Sequence, residues 1–248
     1  MRMTRLVLSL NRHFFAIALV AIALGIGLLF FVESPLLRWI LGCGVGVAAW
    51  LVAASTLAVY LTYDASDLLK VTWWPDRVFS SPPESGVLLY AEIDPVSSPL
   101  RRRYPGMELS VFDIFDSNVM TETSIQRARE WNSSAMPNVS IPFDDWPVAE
   151  SSQDVVFAIA SAHELRHEQE RVRFFSEAQR VLKPDGIIVV IEQLRDPVNF
   201  LCFGPAAFHF HSRHTWLQTF AAANLSVTKE FQITPFMTTF VLQVQSVA

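Results

Sequence analysis

WPVAESSQDVVFAIASAHEL (Trp146–Leu165), followed eight residues later by FFSEAQRVLKPDGIIVVIEQ (Phe174–Gln193), decides the fold. Gln153–Ser161 is almost wholly apolar and short, as a strand buried on both faces must be. His167–Lys183 is amphipathic, with Val172, Phe175, Ala178 and Val181–Leu182 at helical spacing. Pro184-Asp185-Gly186 stops that helix, and Ile187–Gln193 is a second apolar run. Strand, helix and strand in this order predict a βαβ unit and a parallel sheet.

The same alternation extends outward. Gly86–Ile93 and Met107–Asp116 read as strands, with a basic-faced helix in Ser97–Gly106 between them. Ser117–Trp131 has Met120, Ile125 and Ala128 at helical spacing, and a further helix runs from about His214 to Ala223. Leu225–Ile233 and Thr238–Gln245 are strands with no room for a helix between them, so they pair antiparallel. In open parallel sheets ligands sit beyond the carboxyl ends of the strands, which makes the residues after each strand the ones to inspect.

The N-terminal quarter is different. Phe14–Val32 carries no charge and spans roughly 30 Å as a helix, the thickness of a hydrocarbon core. A second uncharged run covers Trp39–Tyr63, and the proline in the intervening turn breaks any continuous helix. The pair reads as a transmembrane hairpin, with Trp39, Tyr60 and Tyr63 near its ends. Arg2, Arg5 and Arg12 precede it and Lys70 and Arg77 follow it, a bias that predicts a two-pass protein with N-terminus and soluble domain cytoplasmic. Three regions result: a tail and two transmembrane helices over 1–63, a connector over 64–85 and an α/β domain over 86–248. Hydrophobic residues reach 51% and charged residues only 17%, the excess lying in the hairpin. A net charge of −5 argues against nucleic acid as partner, and two cysteines make no disulfide framework.

The residues of the α/β part resemble the class I S-adenosylmethionine-dependent methyltransferases, most of all the type 11 domain. Trp146–Asp154 is similar to that family's LPFPDGSFD segment, and Arg180–Gly186 to its RVLKPGG segment. FDIFDSNVMTETSIQRARE (Phe112–Glu130) resembles the stretch after its second strand. The resemblance covers roughly Gly86 to Gln245 and implies a Rossmann-like, seven-stranded, mostly parallel sheet with a C-terminal antiparallel strand pair. It implies S-adenosylmethionine as cofactor, Asp113 as the acid for the ribose hydroxyls and Ile114 as adenine packing. The glycine-rich loop departs from the pattern: Ala91, Ile93 and Pro95 stand at the glycine positions, with Glu92 or Asp94 left to replace lost polar contacts. The acid for the adenine amine falls near Pro142, so Asp144 or Asp145 serves only after a small shift.

His163 and Glu164 lie just past the strand over 153–161, where transfer would occur, and are the catalytic candidates, His163 as a general base. His209, His211 and His214 are close in sequence, but their spacing does not gather them on one strand face and no metal site is assigned. With Phe200, Phe203, Phe208 and Trp216 they read as part of a substrate lid. Together these features predict a membrane-anchored methyltransferase acting on a membrane-associated, lipid or quinone-like acceptor. The alternative is a non-catalytic membrane scaffold with a relict methyltransferase fold.

Overall fold

The computed structural model describes residues 3–132 and 139–245. Its sheet has seven strands: β1 (Ser85–Tyr90), β2 (Glu108–Asp113), β3 (Val139–Ser140), β4 (Gln153–Ile159), β5 (Leu182–Gln193), β6 (Leu225–Thr234) and β7 (Met237–Val244). Their order is β3-β2-β1-β4-β5-β7-β6. The first five are mutually parallel, while β7 runs antiparallel to both β5 and β6. The chain reverses direction across the sheet between β1 and β4, so the ligand crevice expected of such sheets opens above Tyr90 and Ile159. β3 has only two residues, both exposed, and carries no pattern from which sequence could have named it.

Alternation along the strands feeds two cores. Val87, Leu89, Val156 and Val190 point to one face, where they meet α6 (Thr123–Asn132), α7 (Glu168–Val181) and α9 (Arg213–Ala222) through Ile125, Ala128, Phe174, Phe175, Trp216 and Phe220. Leu88, Val155, Phe157 and Val189 point to the other. There they are covered by α5 (Ser97–Arg103) and by the segment expected to be a connector, which contributes Leu68, Val71, Trp74 and Val78, the last two from α4 (Trp74–Val78). The buried Asp67 carboxylate accepts from the backbone N–H groups of Thr72, Trp73 and Trp74, which locks that segment's turn. Trp74 is fully buried, edge-on to Phe157.

Two of the family-like segments have local physical reasons. At Gly186 a Cβ would sit 2.9 Å from the Gln153 carbonyl and 3.0 Å from that of Lys183, so β4 and β5 close up only around a bare backbone. Ser151 adopts φ +52°, a conformation that glycine holds without strain. Gly186→Ala should cost about 1–3 kcal/mol through overpacking, and Ser151→Gly should add up to about 1 kcal/mol. Thermal melts of the two variants therefore move in opposite directions.

Asp154 ties the amino ends of three strands together. It accepts from Glu84 N, Ser85 N and Ser85 Oγ, and pairs with Lys183 Nζ at 2.7 Å. Burial works against its charge, but the Lys183 ammonium and the N–H groups outweigh this and hold the carboxyl down at about 2. A depressed carboxyl contributes stability that is complete above its unfolded value, about 3.9, and is lost as pH falls through its folded value. Denaturant midpoints of the parent chain should thus fall between about pH 4 and pH 2, and Asp154→Asn should flatten that part of the curve.

Before the sheet come α1 (Met3–Leu10), α2 (Arg12–Leu29) and α3 (Pro35–Val59), the last continuing as a π-helical turn to Ala65. Arg12–Leu29 and Pro35–Ala65 are long and apolar enough to cross a membrane. Their side chains are largely bare, with Phe14 66% and Trp39 75% exposed. Of the five glycines in these helices, Gly25 alone packs tightly, against Val45. The helices are not a loose stalk. Met3 N and Thr4 N donate to the Asp64 carboxylate, Ala54, Ala58, Val59 and Thr62 are buried, and Trp50 Nε1 donates to the Leu201 carbonyl at 3.0 Å in α8 (Pro197–Phe203).

Candidate active site

The crevice is built from strand ends. Tyr90 and Asp113 are register partners, so β1 and β2 finish side by side. Asp113 is buried, and its Oδ1 accepts from Phe115 N. Both of its oxygens also receive the Arg129 guanidinium, at 2.9 and 2.7 Å. The same guanidinium donates to the Ala91 carbonyl at 2.8 Å and lies 4.1 Å over the Phe115 ring. Ala91 turns its methyl into the core, and Ile114 is likewise fully buried, so Phe115 is the apolar surface presented here.

None of residues 91–95 adopts positive φ. The loop therefore follows a path that needs no glycine, which accounts for Ala91, Ile93 and Pro95 at positions where the resembled family has glycines. Asp94 faces its own loop: Oδ1 accepts from Val96 N and Ser97 N. Asp144 pairs with Arg173 at 3.2 Å, and Asp145 is exposed. The structure thus gathers Ala91 and Asp113 around one socket, with Asp94, Asp144 and Asp145 engaged elsewhere or turned to solvent.

A second group lies beyond β4 and β5. His163 and Glu164 occupy a short 3₁₀ turn after β4, entered through Ala160 at φ +49°. Glu192, at the carboxyl end of β5, receives the backbone N–H groups of Ser161, Ala162 and His163 on Oε1 and contacts His163 Nδ1 at 2.8 Å through Oε2. His163 Nε2 lies 3.2 Å from Glu164 Oε1. His209 completes the group: its ring is edge-on to His163, and its Nε2 is 3.8 Å from the same Glu164 oxygen. Arg166 donates to the carbonyls of His163 and His209, which joins the two loops.

Electrostatics follow from burial. Burial works against a charge on His163, but the flanking Glu192 and Glu164 carboxylates outweigh it and raise the imidazole's pKa above its usual value. Burial first, then the Glu164 charge, push Glu92 up to about 7. His211 is driven down to about 3 by burial and by Arg171, and packs edge-on to Trp216. His214 is exposed. The three neighbours in FHFHSRH therefore go to three different environments.

A family profile described as a methyltransferase domain matches residues 97–190, the run from α5 through most of β5. That stretch of the α/β domain is thus methyltransferase-like. No curated protein matches the chain. Among solved structures the chain is similar to the pyocyanin biosynthetic protein PhzM, with TM-score 0.51 and 15% identity over 78% of this chain and 58% of that one. It is also similar to a SAM-dependent methyltransferase from Aquifex aeolicus, with TM-score 0.51 and 16% identity over 71% and 89% of the two chains. These likenesses are of fold, and the chain spans little more than half the length of PhzM.

S-adenosylmethionine is the cofactor of such domains, and the Asp113 socket fits it. The socket offers carboxylate and carbonyl acceptors beside an aromatic face, and Arg129 already satisfies them with donors. A ribose diol brings two hydroxyl donors to the same acceptors, and adenine a flat ring to the same face. For this the Arg129 side chain must swing away. Arg129 and Glu192 escaped the sequence reading. Glu192 had one signal, an acid closing an otherwise apolar strand.

Proposed function

We propose that this methyltransferase is held in a membrane by α2 and α3, with its sheet on the cytoplasmic side, and methylates a membrane-confined acceptor of lipid or quinone-like character. The observation that carries this is a cavity of about 440 Å³ between the helical hairpin and the segment after β5. Its lining is almost entirely apolar, with Phe14, Phe15, Leu51 and Val52 on the hairpin side and Phe203 and Ala206 on the other. The segment that carries Phe203 and Ala206 ends at His209, beside His163. An apolar chain lying in the cavity would have its polar end directed toward the strand-end group. Phe200, Leu201 and Phe208 are exposed on the same segment, as a surface meeting acyl chains would be.

When bound, the cofactor supplies a methyl group on a sulfonium sulfur. The chain's own residues hold and shield. Asp113 accepts the ribose hydroxyls and Phe115 covers the base. Glu192 fixes the His163 ring, and the aromatic segment over 200–210 excludes water from the acceptor's end. A second reading, the relict scaffold, draws on one observation, the Arg129 guanidinium in the ribose socket.

The test uses the full chain in lipid nanodiscs with methyl-labelled cofactor and a total lipid extract. Label should enter an organic-soluble product. Leu51→Trp, which fills the cavity, should reduce this at least tenfold while leaving S-adenosylhomocysteine binding unchanged. Cofactor binding with no labelled lipid would overturn the acceptor assignment, and no cofactor binding would favour the scaffold.

A further inference from the structure

Glu164 is 1% exposed; among the described residues its Oε1 meets the His163 and His209 ring nitrogens, and its Oε2 has no hydrogen-bond partner. Leaving a buried carboxylate this way is costly, and each such group calls for an explanation. The surrounding geometry supplies one. His163 Nε2 and His209 Nε2 both turn toward Glu164 Oε1, at 3.2 and 3.8 Å. Each ring has a carboxylate on its other nitrogen, Glu192 at 2.8 Å from His163 Nδ1 and Glu122 at 3.7 Å from His209 Nδ1. Carboxylates behind both Nδ1 atoms favour rings that present Nε2 as the ligand atom, the pattern found around metal-bound histidines.

We propose that His163 Nε2, Glu164 Oε1 and His209 Nε2 form a three-ligand site for a divalent transition-metal ion of the zinc class, with Glu192 and Glu122 as positioning residues. The three ligand atoms lie within 4.8 Å of one another. Tetrahedral bonds of about 2 Å place ligands roughly 3.3 Å apart, so rotation of His209 by roughly an ångström closes the set. Two histidines and one carboxylate are the donors of open zinc sites, which leave a fourth position for an exchangeable oxygen. The proposal does not depend on cofactor binding, because all the ligands come from loops after β4 and β5. Sequence could not reach it, since residues 163 and 209 are joined only by the fold.

The experiment uses the full, untagged chain in detergent, stripped with a chelator and titrated with Zn²⁺ and, separately, Co²⁺. About one ion per chain should bind, and cobalt should give the visible absorption of a low-coordinate nitrogen and oxygen site. His209→Ala and Glu164→Gln should each weaken binding by at least roughly 100-fold and abolish the cobalt bands. Glu192→Gln should weaken it by about 10–100-fold, and His214→Ala should change nothing. Circular dichroism checks that each variant folds. A folded parent chain that takes up no cobalt overturns the proposal whatever the variants do. So does binding that survives unchanged in folded His209→Ala and Glu164→Gln.

Discussion

Asp113→Ala should lower the affinity of the full chain for S-adenosylhomocysteine by at least about 100-fold, and Arg129→Ala should raise it by roughly tenfold. The first effect follows from losing the acceptors for both ribose hydroxyls, each charge-assisted bond contributing about 1.5–3 kcal/mol. The second follows from occupancy: the guanidinium holds both Asp113 oxygens and the Ala91 carbonyl, and a ligand must displace it before binding. Deleting the competitor removes that cost. The Arg129 side chain is 29% exposed, so when Asp113 is gone the guanidinium can reach water and the fold should survive, which a melt confirms. Isothermal titration reads both arms. Weaker binding in Arg129→Ala would mean that the arginine belongs to the cofactor site and does not block it. No binding in either the parent or Arg129→Ala would leave the relict scaffold as the better account.

Phe175→Ala should be the most destabilising single truncation in the domain. Phe175 is fully buried and meets Phe174, Trp216 and Phe220 edge-on, at centroid distances of 5.0, 6.2 and 5.1 Å. Emptying such a site costs about 3–5 kcal/mol, to which these ring geometries add their own part. A domain with a total stability of about 5–15 kcal/mol then melts roughly 10 °C lower, or fails to accumulate. Phe175→Leu keeps most of the volume and should show a clearly smaller shift. A fall of under about 3 °C in Phe175→Ala would mean that the three aromatic neighbours collapse into the space.

Much of this architecture is legible in the chain because one physical signal repeats. Apolar runs at Gly86–Tyr90, Gln153–Ile159 and Ile187–Gln193 are short and bounded, and the helix between the last two has an unbroken 3.6-residue stripe. The Asp113 position came from the family resemblance, which places an acid at the carboxyl end of the second strand. What was missed lacks periodicity. Leu68, Val71, Trp74 and Val78 sit in a serine- and proline-containing stretch with no regular spacing, yet they pack into the core on one sheet face. Arg129 on an amphipathic helix reads as a solvated residue until the fold brings Asp113 beneath it. The histidines show the limit most clearly: the spacing in FHFHSRH argued against a shared site, and His211 and His214 do go elsewhere, but the pairing of His209 with His163 is made only by the fold.

The bond from Trp50 to Leu201 ties α3 to α8, and the docking of Met3 and Thr4 on Asp64 ties α1 to the end of α3, so the apolar helices contact the α/β domain along its edge. On the function proposed above, encounter is a two-dimensional search, governed by lateral diffusion and by the acceptor's mole fraction in the membrane. Diluting the acceptor with inert lipid should therefore slow turnover at constant bulk concentration, whereas adding water should leave it unchanged.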